Sequence, residues 1–517
     1  MRWTIIALLT LAAPLAAAEE PPNPVDRYFD KVWKDAGIPD RPAADDFEFY
    51  RRVSLDVIGR LPKPDEIRAF VREPDREKAI DALLASDEAA EFFADTWLRL
   101  LLSYKFEETL PQKINFPAFR SWLKDAAAKD LPYRDFVTRL LSDTGDYKQN
   151  PASNFLLAAI DPVEPPHELT NRVTRIFLGL QMQCARCHDH PFDKYTQEDF
   201  WGITAFFNGI KPKARRTFDG FGVKLMMEPP GTAMMIPDSK TEVQARFLDG
   251  RRPDPEQPPL KALAGYFVQH RQFPRAIVNR LWAHFMGRGF VEPVDRFSDR
   301  STPSNPELLD ALCEAFEKGD TRLRPLMRSI LTSKAYQASC APVKDAPADA
   351  CASMALKPFN PVQVLNFLSS TLNLDVFLKE FYRKFLENKE LPETYRNPEV
   401  FKMFLHQFAS GLLAPTGIAP EETRYTGSVR LALKLMNSND LQGLVRAEWG
   451  RLADILKKDP SPEGRLNEIF LTVLSRPPRP AEKERYLAYL QRKNGGKAAY
   501  EDIYWVLINS TELIFNH

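Results

Sequence analysis

Over most of the chain the apolar positions recur with helical spacing. Phe93, Trp97, Leu100 and Leu101 stand four, three and one apart, which puts them on one face of a helix. Ser86-Asp87-Glu88 ahead of them supplies a cap and an acidic first turn. This pattern dominates from Asn23 to about Gly209. It then gives way, from about Lys211 to Pro259, to glycines, prolines and short alternating runs, which predict a linker with one or two small hairpins. Helices resume with FPRAIVNRLWAHFM. SNPELLDALCEAF follows, read as opening on a capping box of Ser304 and Glu307 with a proline in the first turn. After a second break, QASCAPVKDAPADACASMALKP, a last helical block runs to the C-terminus. The expected fold is mainly α, with two helical domains and proline-rich corners. Residues 24–210 form the first domain, 211–257 a linker with a small β element, and 258–517 the second domain.

One stretch occurs twice. LDVIGRLPKPDE (Leu55 to Glu66) and LTVLSRPPRPAE (Leu471 to Glu482) agree without gaps at Leu, Val, Arg, Pro, Pro and Glu. Each reads as a helix end, a proline-stiffened corner and a new helix with carboxylates in its first turn, an architectural unit. Two copies are too few for a solenoid.

Composition bounds the rest. A chain of 517 residues is too long for one core and needs no metal merely to stay folded. Its 70 basic and 70 acidic side chains balance, so nothing points to nucleic acid or anionic lipid. The 43 prolines come in short pairs rather than tracts, which favours short helices with rigid corners over disorder. At the start, Arg2, an apolar run from Trp3 and Ala16-Ala17-Ala18 before an acidic, proline-rich stretch have the form of a secretory signal peptide cut after Ala18. An uncleaved anchor is the competing reading, although the run is short and Pro14 interrupts it. The expected location is therefore periplasmic or secreted, where cysteines oxidise and haem is attached covalently.

The chemistry is concentrated in QCARCHDHPFDKY. Covalent c-type haem requires two thiols on one side of a turn and an imidazole beside them to reach the iron, and Cys184, Cys187 and His188 have that spacing. Other readings stay open. Val173, Ile176, Phe177, Leu180, Cys184 and Cys187 fall at three-four spacing, so the cysteines can continue an apolar helix face. They can pair as a disulfide, or join His188 or His190 and Asp193 around zinc. Asp189, His190 and Asp193 also form a possible acid-base cluster.

For a second axial ligand the linker offers Met226, Met227, Met234 and Met235, with GTAMMIP as a loop able to present a thioether, and His284 is another candidate. Cys313 shares a helical face with Leu309, Leu312 and Phe316 and should be buried and inert. Cys340 and Cys351 flank a flexible segment and are candidates for a disulfide. GxSxG, HExxH and phosphate-binding glycine loops are absent, so no enzymatic activity is assigned.

These residues give the chain its likeness. FYRRVSLDVIGRLPKPDEIRAF and IFLGLQMQCARCHDHPFDKYTQEDFWGITAFF resemble the two ends of the first domain of planctomycete-type cytochrome-like secreted proteins, which join domain of unknown function 1549 to domain 1553. RAIVNRLWAHFMGRGFVEPVDRFS, NPELLDAL, SILTSKAYQ, YTGSVRLALKLMNS, FLTVLSRPPRPAE and VLINSTELIFNH resemble successive blocks of the second. The resemblance implies a secreted, mostly helical protein with a cytochrome-like role, and brings no established activity, substrate or catalytic residue. Members often carry a further N-terminal haem-binding segment that this chain lacks, so an electron path must use Cys184, Cys187 and His188 or a redox partner protein. Asn305 stands where the family tends to have His, and Arg430-Leu431 where Pro-Gln is usual.

Overall fold

The computed structural model describes residues 23–38, 41–102, 114–160, 165–217, 220–227, 232–387, 399–402, 405, 436–437, 445–448 and 450–517. The signal-peptide reading and most of the YTGSVRLALKLMNS block lie outside them. As expected, the fold is mainly α with small antiparallel sheets. No described helix is long and apolar enough to cross a membrane.

The helices in order are α1 (Pro24–Asp35), α2 (Asp46–Ile58), α3 (Pro64–Arg72), α4 (Arg76–Leu84), α5 (Asp87–Leu102), α6 (Phe116–Ala128), α7 (Tyr133–Ser142), α8 (Asn154–Ala159), α9 (His167–Val173) and α10 (Gln197–Phe206). After the strands come α11 (Pro259–Gln269), α12 (Gln272–Met286), α13 (Pro306–Lys318) and α14 (Leu323–Leu331). The last block holds α15 (Pro361–Leu372), α16 (Leu374–Leu386), α17 (Gly450–Lys458), α18 (Pro462–Leu474), α19 (Pro480–Arg492), α20 (Lys497–Ile508) and α21 (Thr511–Ile514). Proline stands at the first turn of many of them, where its missing N–H costs nothing.

The linker does contain hairpins. β2 (Ile210–Thr217) and β3 (Gly220–Met227) pair antiparallel from Ile210 opposite Met227 to Thr217 opposite Gly220, and β1 (Gly145–Asp146) lies on the other edge of β3. β4 (Ala233–Met235) pairs with β5 (Glu242–Gln244), and the short β6 (Lys357–Pro358) with β7 (Phe515–Asn516). The four linker methionines therefore sit in strands rather than in a presenting loop, their backbones held by ladder bonds.

Buried apolar side chains form two clusters. One runs from Val25 to Met354; the other runs from Phe359 to Leu513 and takes in Leu55 and Leu61. Helix α2 joins them, giving Val53, Val57 and Ile58 to the first cluster and Leu55 to the second. Arg51, Arg52 and Asp56 are buried with it, and each is bonded by a distant segment, although Arg51 Nε and Nη1 and Arg52 Nε have no partner. Arg51 Nη2 donates to the carbonyls of Glu512, Leu513 and Phe515 at 3.1, 2.9 and 3.3 Å, closing the end of α21. Arg52 Nη1 donates to Tyr336 and Ala338 at 2.7 and 2.8 Å. Asp56 accepts from Tyr336 Oη at 2.8 Å, Lys357 Nζ at 2.5 Å and Asn516 Nδ2 at 2.7 Å.

Two local expectations shift. Helix α13 starts one residue later than read, with Asn305 rather than Ser304 at its cap, and that side chain caps nothing. It is turned inward instead, accepting from Tyr28 Oη at 3.0 Å and donating to Asp349 O at 3.2 Å. Cys340 and Cys351 are unpaired, the Cys340 sulfur lying 3.6 Å from Arg52 Nη2. Cys313 is buried, and burial pushes its thiol up to about 12.

Candidate functional site

Where CARCH sits is decided just upstream. Helix α9 runs into a π-helical turn, Thr174–Leu178, whose Ile176, Phe177 and Leu178 are buried. Gly179 then turns left-handed at φ 66°, and a Cβ there would lie 2.7 Å from Phe297 Cδ2. Its carbonyl accepts the Phe297 amide at 2.8 Å, which fixes the exit direction. The helix therefore stops before the cysteines, and the core stripe continues only to Leu180. Leu180 and Met182 anchor the chain in the core, and a single 3₁₀ turn follows, Gln183–Arg186.

With about three residues per turn, positions three apart lie one above the other. Ala185 is fully buried on the inner side, while Cys184 and Cys187 stand exposed and unpaired on the outer. His188 is also exposed, and its Nδ1 donates to the Asp189 carbonyl at 2.8 Å. That bond sets the tautomer and leaves Nε2 without a partner among the described residues.

The start of α10 holds this turn in place. Thr196 and Asp199 cap the helix reciprocally, and Asp189 Oδ1 accepts the Gln197 amide at 2.9 Å. Gln197 Nε2 donates to the carbonyls of Arg186 and Cys187 at 3.2 and 2.9 Å, and Trp201 Nε1 donates to Arg186 O at 2.9 Å. Arg186 Nη1 donates to His167 Nε2 at 3.1 Å, tying the turn back to α9. Gln197 and Trp201 belong to no motif of their own, although the TQED cap signals that a helix begins beside CARCH.

The rest of the motif folds on itself. His190 Nδ1 accepts the Phe192 amide at 3.2 Å and Asp193 Oδ1 the Lys194 amide at 2.8 Å. Lys194 Nζ pairs with Asp299 at 3.0 Å, and Phe192 is 60% exposed, a large apolar ring held out in solvent. Among the described residues no three His, Cys, Asp or Glu side chains gather as for a metal ion. Tyr195 is buried, and burial followed by the nearby Asp193 and Asp299 charges pushes its hydroxyl up.

Of the sequence candidates, then, Cys184, Cys187 and His188 share one turn, with His190 and Asp193 in the loop beyond. His284 is elsewhere: its Nε2 donates to the Asp56 carbonyl at 2.8 Å, and it lines a separate cavity. The haem attachment groups fit in identity, order and exposure. They do so on an exposed turn.

Residues 24–212 match the family PSCyt2, a protein of unknown function (DUF1549), and residues 262–364 match PSD1, a protein of unknown function (DUF1553). Both cysteines and His188 fall inside the first match. No curated protein and no solved structure matches the chain.

Proposed function

Because the chain belongs to the proteins that join PSCyt2 (DUF1549) to PSD1 (DUF1553), we propose that it is a secreted or periplasmic cytochrome-like protein. In this reading Cys184 and Cys187 are the attachment points of a c-type haem and His188 is its proximal ligand. One observation carries the reading: three reactive side chains point outward from a single turn, and Nδ1 of the imidazole is tied to Asp189 while Nε2 is left open. A bound haem supplies one-electron redox chemistry. The chain's own residues hold the site: Asp189 orients the imidazole, Gln197 and Trp201 fix the turn's carbonyls, and the exposed Phe192 ring is placed to lie against an apolar group.

The surface position favours a second reading. The exposed CARCHDHPFD loop can serve as a knot, in which Cys184 and Cys187 close a disulfide, or in which they hold zinc with His190 and Asp193 once the loop draws together side chains that do not gather in this structure. The protein would then act as an accessory module in extracellular polymer breakdown. Export with the haem-attachment machinery separates the two. The haem reading expects a coloured product, its mass raised by one haem, and loss of both features in Cys184→Ala and His188→Ala. A colourless product with the mass of the polypeptide alone, or one that carries zinc, refutes it.

A further inference from the structure

A cavity of about 370 Å³ lies between α5, α7, α12, α14 and the start of α15, and no residue from Gln183 to Tyr195 lines it. Its walls are mainly apolar. Phe93, Leu100, Leu281 and Met327 line it and remain only partly buried, although each packs against the main core. Trp97 meets Phe93 at 5.5 Å and Phe136 edge-on at 5.2 Å between ring centroids, so part of the wall is aromatic.

The charged side chains of the lining are taken up by the protein itself. Lys357 Nζ pairs with Asp56 Oδ2 at 2.5 Å and donates to Phe285 O at 2.7 Å. Asp130 Oδ1 accepts the Arg324 amide at 3.3 Å, and Arg324 Nη2 donates to the carbonyls of Ala127 and Ala128 at 2.9 and 2.8 Å. Arg99 and Arg175 have partners of their own, Arg175 pairing with Asp295 at 4.0 Å. The burial of Arg280 is offset in part by the Asp295 charge. Its Nε and Nη2, with Tyr133 Oη and Thr96 Oγ1, lack partners, but no water can reach them, so they do not face the open space. His284 turns Nε2 to the Asp56 carbonyl at 2.8 Å. A charged guest would therefore shed its hydration without meeting an unengaged counter-charge, and water would find few partners there.

We propose that this cavity binds an uncharged, apolar small molecule of the size of two fused aromatic rings. Such a guest covers the partly buried Phe93, Leu100, Leu281 and Met327 side chains and leaves every engaged polar group undisturbed. Aromatic rings beside Trp97 and Phe136 add about 0.5–1.5 kcal/mol beyond the area they bury. The size follows from the volume: an apolar cavity of about 150 Å³ stays dry and takes up benzene, and this one is more than twice as large. The assignment is independent of the haem reading, since the two sites share no residue.

Equilibrium dialysis of the full chain at neutral pH tests it, with naphthalene as the probe and 2-naphthoate and 2-naphthylmethylammonium as its charged analogues. The expected result is saturable one-to-one binding of naphthalene, with both analogues roughly tenfold or more weaker. Leu100→Trp and Leu281→Trp fill the space, and each should abolish naphthalene uptake while leaving the helical circular dichroism unchanged. Absence of saturable naphthalene binding overturns the proposal, as does equal binding of either charged analogue. Uptake that survives the filled cavity overturns it too, since the probe then sits elsewhere. Should one variant fail to fold, the other decides, and the smaller change Ala127→Leu serves if both do.

Discussion

Arg60 and Arg476 make the same clamp near the two ends of the chain. Each guanidinium takes the carboxylate six residues on with both Nη atoms, Arg60 holding Glu66 at 2.9 and 2.9 Å and Arg476 holding Glu482 at 2.7 and 2.9 Å. Each also donates to the next carbonyl, Leu61 or Pro477, at 3.0 Å. The glutamate in turn accepts the amide that opens the following helix, from Lys63 at 2.8 Å or Arg479 at 2.7 Å. A second carboxylate, Glu88 or Glu512, closes the other side of the fork. The preceding helix ends left-handed in both, at Gly59 and at Ser475. The two corners also meet, since α3 packs on α18 and Arg68 pairs with Glu468.

Breaking either clamp should destabilise the fold by about 1–3 kcal/mol, because the fork is bidentate and partly shielded from water. Arg60→Ala and Arg476→Ala are expected to lower the urea midpoint by similar amounts. Arg60→Lys should recover little, since an ammonium cannot bridge both oxygens. A double-mutant cycle of Arg60 with Glu66 that gives no coupling would count against the clamp.

Removing Asp56 should be more damaging. Lys357 is half-buried, its pKa lowered chiefly by burial, and Asp56 Oδ2 is its ion-pair partner at 2.5 Å. Asp56→Ala strands the ammonium and frees Tyr336 Oη and Asn516 Nδ2, an expected loss of about 3–5 kcal/mol by denaturant titration. Asp56→Asn, which keeps one acceptor oxygen, should lose less.

Thiol reactivity should divide the cysteines. Cys184 and Cys187 are exposed, whereas burial pushes Cys313 and Cys351 up to about 12. The reduced, haem-free protein is expected to modify two thiols quickly with a disulfide reagent and the others only on unfolding. Gln197→Ala, which frees the Cys187 carbonyl, should speed hydrogen exchange across Cys184 to His188 while hardly moving Tm.

Gly179→Ala should cost about 1–3 kcal/mol. The new methyl group meets the Phe297 ring at a left-handed φ of 66°. Phe297→Ala in the same chain should relieve the clash but not the backbone strain, so partial rescue of Tm is the expected outcome.

Acid should weaken the fold in two stages. Burial holds His270 down to about 4 against 6.5 when free, so its stabilisation is complete above 6.5 and is lost as pH falls towards 4. For Glu91, burial opposes ionisation, but hydrogen bonds from Lys124 and Lys402 and the Arg120 charge outweigh it and hold the carboxyl at about 2 against 4.5. Its contribution is complete above 4.5 and is lost as pH falls towards 2. Tm should fall through both windows, His270→Phe removing the first and Glu91→Gln the second.

Much of the architecture was legible along the chain. The helical class, the hairpins of the linker and the repeated corner all depend on neighbours within a few residues, through periodicity, proline positions and alternation. The identity of the candidate site was legible too, because CARCH is contiguous. Its setting was not: three-four spacing allowed Cys184 and Cys187 to continue the core stripe, and only the packing of Phe297 against Gly179 showed that the helix stops short of them.

By itself, then, the sequence determined which segments coil, where they bend and which side chains CARCH brings together. Tertiary structure decided what is buried. Arg51, Arg52 and Asp56 lie inside with hydrogen bonds to partners some 280 to 460 residues away. The cavity that His284 lines exists because helices distant in sequence meet without filling it. Local backbone preferences are set by adjacent residues, whereas solvation of a side chain depends on every surface that folding brings against it.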